Sequence, residues 1–264
     1  MAPFHRLAAL ARRVGGTYVG IARIYRDWWG AILLLALAVF VPLGLIDAAA
    51  AQVDLESLHI DSGIEVFALI ATAGVVTTTG LLGEVFFAGA IAISLTHPEG
   101  EKPPPLSHIA RRISYRRLIL LDIAYVVIVA VGIILLIVPG VAAFVLLGLS
   151  GPAVELEERT VRGALVRSFR LVRADFWLVF WVLVPLELVG DAAGSAAEHL
   201  AHDLLGDTFF STWLSEAVSN IALSPLFAIA AVLLATRLIT VVDGSGPRIR
   251  SLDRGQTEQL GALA

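Results

Sequence analysis

At 264 residues, 58% of them hydrophobic and 16% charged, the chain is too apolar for a soluble domain, which needs about 25% charged residues for a polar skin. Such a surface must face lipid, so an integral membrane protein is expected. The absence of cysteine excludes disulfides, iron–sulfur ligation, thiolate zinc sites and cysteine nucleophiles, and a net charge of -4 says little until the charges are sorted by position.

All 19 Lys and Arg fall in four stretches. Arg6, Arg12, Arg13, Arg23 and Arg26 form the first; Lys102, Arg111, Arg112, Arg116 and Arg117 the second; Arg159, Arg162, Arg167, Arg170 and Arg173 the third; Arg237, Arg248, Arg250 and Arg254 the last. The positive-inside rule places all four in the cytoplasm. Lys102 stands alone against 18 arginines, a bias that by association suggests a bacterium with a GC-rich genome and hence a bacterial plasma membrane.

Between the first two basic stretches the chain must leave and return, and it offers spans over 28–46 and 66–96 around an acidic turn with Asp47, Asp54, Glu56, Asp61 and Glu65. The run Ala48-Ala49-Ala50-Ala51-Gln52 after the first span has the look of a signal-peptide cleavage site, but the basic region before it is long for that purpose, so the span is expected to stay. From Leu118 to Val154 only Asp122 is charged. A single helix of that length would run roughly 55 Å, against a hydrocarbon core of about 30 Å, and both flanks are basic. The segment must therefore be a hairpin, with Pro139-Gly140 expected at the reversal and spans over 118–138 and 141–157. After the third basic stretch, residues 176–190 leave and 214–236 return around an outer segment carrying Asp191, Glu198, Asp203 and Asp207.

The predicted fold is all-α: a polytopic membrane protein with six transmembrane helices as three hairpins, each preceded by a basic cytoplasmic segment, both termini inside. Residues 1–242 form one domain and 243–264 a polar, flexible tail. The three units repeat a plan more than a sequence, although Arg26-Asp27-Trp28-Trp29 with Val41-Pro42-Leu43 has a counterpart in Asp175-Phe176-Trp177 with Val184-Pro185-Leu186.

Over residues 158–173 the arginines Arg159, Arg162, Arg167, Arg170 and Arg173 fall within an arc of roughly 140°, with Val161, Leu165, Ser168 and Val172 opposite. This predicts an interfacial helix with its apolar side in the acyl boundary and its guanidinium groups among lipid phosphates, each contributing on the order of 1 kcal/mol on an anionic leaflet. The first 27 residues have a similar pattern interrupted at Gly15-Gly16, and Pro103-Pro104-Pro105 forms a stiff linker.

The sequence Ile137-Val138-Pro139-Gly140, then Gly151-Pro152-Ala153-Val154-Glu155, then Ala164-Leu165 with Ser168 and Leu171 resembles the membrane region of bacterial glycerophosphoryl diester phosphodiesterases and related uncharacterised multi-pass membrane proteins. The resemblance runs from Ile133 to Leu188, with Trp177 where the next span of that group begins. It implies a multi-helix membrane module, often standing alone. The phosphodiesterase barrel itself has no room here, since no segment outside the spans approaches its length.

Ionisable groups inside a bilayer are costly, so each is a candidate for function. Asp122 and Glu155 lie close in sequence to Arg117 and Arg159 and are expected to form structural ion pairs at the inner face. Glu84 and Glu187 fall in the middle third of their spans with no cation in sequence reach. They are read either as protonated interhelical glue beside Gly80, Gly83 and Gly89 or as a proton or cation path. Glu198, His199, His202 and Asp203 have helical spacing, but a polar face on an amphipathic outer helix explains them more simply than a metal site, and no metal is expected. No phosphate loop, nucleotide fingerprint or serine–histidine pair is present, so neither enzymatic activity nor a cofactor is expected. The expected role is a non-catalytic module that binds anionic lipid, or a membrane-protein partner, at the cytoplasmic face, with no nucleic acid involved. The competing expectation is a small proton- or cation-coupled transporter using Glu84 and Glu187.

Overall fold

The computed structural model describes residues 2–51, 83–96, 106–206 and 208–244, and among them every regular element is a helix. These are α1 (Ala2–Ala51), α2 (Glu84–Leu95), α3 (Leu106–Arg112), α4 (Tyr115–Leu135), α5 (Ile137–Leu147), α6 (Ser150–Glu157), α7 (Val161–Ala174), α8 (Phe176–Leu205) and α9 (Phe209–Asp243). Five stretches are long and apolar enough to cross a membrane: Leu7–Pro42, Tyr115–Leu135, Ile137–Glu157, Phe176–Leu205 and Phe209–Asp243. The fold class is therefore that of a multi-pass membrane protein. Of the span expected over 66–96, the part before Gly83 lies outside the described residues, as do the acidic turn beyond Ala51, Gly80, the Pro103–Pro105 linker and most of the tail. What is described is the 12-residue helix α2.

Several boundaries differ from expectation for identifiable reasons. α1 is continuous through Gly15-Gly16, because its buried stripe of Thr17, Ile21, Ile24, Ile32, Leu35 and Phe40 binds the basic half and the apolar half to the same neighbours. The hairpin reverses at Leu136, extended at φ -165° and ψ 142°, and not at Pro139-Gly140. Pro139 falls in the first turn of α5, where its missing N–H would have had no helical partner. Gly140 serves close packing instead: a Cβ on Gly132 would come within 2.8 Å of the Gly140 Cα. The returning segment expected over 141–157 breaks in two at Gly148-Leu149. α8 and α9 run on to Leu205 and from Phe209, past the expected ends at 190 and 214. They are joined by Gly206 at φ +73° and a Thr208–Ser211 capping box.

Contacts between elements set their directions. Tyr25 Oη donates to the Ala222 carbonyl at 3.3 Å and Trp213 Nε1 to that of Val41 at 3.4 Å, so α1 and α9 are antiparallel. Phe40 meets Phe87 with ring centroids 5.3 Å apart, and Asp122 meets Gly83 while Leu118 abuts Gly89, so α2 runs against both α1 and α4. Tyr18 Oη reaches the Trp181 and Val182 carbonyls, so α8 runs with α1. Thus α1, α4 and α8 go one way and α2, α5–α6 and α9 return. α2 lies at the centre, and all its residues except Phe86 are buried, as an all-round apolar helix requires.

Candidate functional site

Two charged regions stand apart, one inside the bundle and one at its end. The interior region is built on the start of α2. Gly83 has φ +93°, a left-handed conformation suited to glycine, and turns the chain into the helix. Asp122 of α4 caps that start: Oδ2 accepts from the Gly83 N–H at 2.6 Å, and Oδ1 from those of Val85 at 3.2 Å and Phe86 at 3.4 Å. A carboxylate there satisfies donors that have no helical partner and meets the positive end of the helix dipole. The expected ion pair of Asp122 with arginine is thus replaced by backbone capping. Glu155 departs from expectation similarly, since Oε1 accepts the Ser114 N–H at 3.0 Å, with Arg112 and Arg117 acting on it at longer range.

Glu84, the first residue of α2, is 5% exposed, and its Oε2 has no hydrogen-bond partner. The charged groups in its electrostatic surroundings are the carboxylates of Glu187 and Asp191 on α8 and of Asp122 on α4. Glu187 is half-buried and Asp191, one turn further, exposed. The buried Tyr125 on α4 lies in the field of Glu84, Glu187 and Asp122, and its hydroxyl donates at 3.5 Å to the Phe144 carbonyl. Across from α2, Gly151 on α6 leaves no room for a side chain, because its Cβ would overlap the Val85 carbonyl oxygen. The neighbouring Ser150 hydroxyl is fully buried and also without a partner.

At one end of the bundle the basic stretches converge. Arg13 of α1 pairs with Asp175 at the start of α8, and Arg167 of α7 pairs with Glu157 and with Asp243 at the end of α9. The Ser114–Glu155 bond brings the second stretch to the same end. α7 begins at Thr160, whose side chain accepts from the Gly163 N–H at 3.2 Å. Its apolar side, expected in lipid, faces the bundle: Ala164, Ser168, Leu171 and Val172 are buried. Ser168 bridges the α5–α6 break, its hydroxyl donating to the Leu146 carbonyl at 2.8 Å and accepting from the Leu149 N–H at 3.2 Å.

The five arginines of this segment therefore divide. Arg167 is turned inward, its side chain 11% exposed, with Nη2 and Nε at 2.8 and 2.9 Å from the Glu157 carboxylate oxygens. Those bonds push its guanidinium further above the usual range. Arg159 pairs with the same carboxylate at 3.2 Å but is 47% exposed. Arg162, Arg170 and Arg173 are exposed, with Val166 and Phe169 between them and the Arg173 guanidinium 5.5 Å from the Phe169 ring centroid. Arg111, Arg112, Arg116 and Arg117 are exposed on α3 and α4.

Among the described residues no three of His, Asp and Glu converge as metal ligands, and His199 and His202 lie in the C-terminal part of α8, with Leu200 and Leu204 exposed. Sequence reasoning missed the inward partners Asp175 and Asp243, the cap by Asp122 and the bridge by Ser168. Only Ser168 left a trace, as a hydroxyl on the apolar side of an amphipathic helix. The class these features define is an all-helical multi-pass membrane protein with two buried carboxylates, Glu84 and Asp122, and a cationic end. Comparison with protein-family models, with curated proteins and with solved structures returns no match.

Proposed function

We propose that this chain is a non-catalytic membrane module that collects anionic lipid headgroups at its cationic end, which the positive-inside rule assigns to the cytoplasmic face. The observation that carries the reading is the outward face of α7, where exposed Arg162, Arg170 and Arg173 alternate with exposed Val166 and Phe169. Guanidinium groups there would meet lipid phosphates while the two apolar side chains enter the acyl boundary. Arg159 adds to this face, whereas Arg167, held by two carboxylates, does not. The test is lipid retention from micelles of phosphatidylcholine and phosphatidylglycerol. The wild-type protein should enrich phosphatidylglycerol in a salt-sensitive way, and R162E/R170E/R173E should lose about fivefold in enrichment per cation. An unchanged lipid profile rejects the reading, and retention of a co-purifying protein with no lipid preference would favour a protein partner.

A second reading, a small proton- or cation-coupled transporter, is favoured by the broken returning helix at Gly148-Leu149 together with the unpaired Glu84 oxygen. Proteoliposomes carrying E84Q should then lose a proton-linked flux present with the wild type.

A further inference from the structure

Among the described residues, Glu84 carries a buried carboxylate oxygen that lacks a hydrogen-bond partner. Its residue is 5% exposed, it opens a helix whose donors are already taken by Asp122, and Gly151 presses the backbone of α6 against Val85 beside it. The charged groups acting on it are Asp122 of α4 and Glu187 and Asp191 of α8, every one a carboxylate; α1, α6 and α9 supply none of them. Among the described residues no cation lies within ion-pair distance of it. Negative charge so placed is stabilised only by taking up a positive one. A metal ion would need several converging ligands, and the described residues bring no three acidic or imidazole groups together for that purpose. A proton needs a single oxygen and fits the space that exists.

We propose that Glu84 is a proton-binding site of the membrane interior. Of the carboxylates acting on it, Asp122 is spent on the backbone of α2, Glu187 is half-buried and Asp191 is exposed, so among them Glu84 combines burial with an oxygen that has no partner. The Tyr125 hydroxyl, in the same field, is already committed to the Phe144 carbonyl. This assignment holds whether or not a solute travels with the proton.

Dicyclohexylcarbodiimide tests it on the full chain in lipid nanodiscs, with no flux assay and no need for a variant to fold. The reagent enters apolar regions and reacts with a protonated carboxyl, whose O–H adds across one C=N bond to give an O-acylisourea that rearranges to a stable N-acylurea, with no atom lost. Peptide mapping should find the adduct on Glu84, with labelling falling about tenfold for each pH unit beyond its midpoint. Failure of Glu84 to label at any pH, or labelling independent of pH, would overturn the site. Protection by sodium at constant pH would replace the proton with a metal cation.

Discussion

The buried carboxylates and the exposed arginines are both charged regions of one helical bundle, yet they are built on opposite principles. Inside, Asp122 satisfies three backbone donors of a helix that starts within the protein, and the glycines around it let backbones touch. At the end, Arg162, Arg170 and Arg173 project from a helix whose other side is packed, and none of the three completes a buried backbone. Arg167 and Ser168, neighbours on α7, belong to the interior kind although they sit at the end. Charge that is legible as orientation is cheap to change; charge that completes a backbone is not.

That contrast can be broken by graded substitution, read as thermal unfolding of the detergent-solubilised protein. G151V should be the most damaging, costing about 3 kcal/mol, because the new side chain must part α2 from α6. D122A should cost about 2 to 3 kcal/mol by stranding buried N–H groups, and D122N distinctly less, since a carboxamide oxygen still accepts; equal losses would reject the cap. S168A should cost about 1 to 2 kcal/mol through the Leu149 N–H and Leu146 carbonyl it leaves behind. R162Q and R173Q should change stability by less than about 0.5 kcal/mol while reducing lipid enrichment, and R167Q should do the reverse. Were R162Q to destabilise as much as R167Q, the division of α7 into inward and outward cations would fail.

The all-helical class and the meeting of the basic stretches at one end were legible because hydropathy and charge act through the solvent and need no knowledge of partners. Arg13, Arg167 and the Ser114 junction illustrate this. The helix breaks were legible only as to existence. Pro139-Gly140 marks a hairpin correctly, but proline is tolerated in a first turn, so the reversal falls three residues earlier at Leu136. The expectation that α7 lies with its apolar side in lipid failed because a helical wheel cannot tell acyl chains from a packed bundle: both accept Ala164, Leu171 and Val172. The cap by Asp122 was out of reach for another reason. Asp122 stands 39 residues from Gly83, so only the folded arrangement joins them, whereas Glu84 and Glu187 were singled out by depth alone.

The reversal between α4 and α5 carries nothing but aliphatic side chains: Leu135, Leu136, Ile137 and Val138 are each at least 68% exposed. Such a tip has no hydration to lose. During synthesis the pair of helices can slip into the bilayer as a single piece, without any hydrophilic stretch being hauled across, and an epitope or protease site grafted at Leu136 would impose the translocation work that the natural sequence avoids.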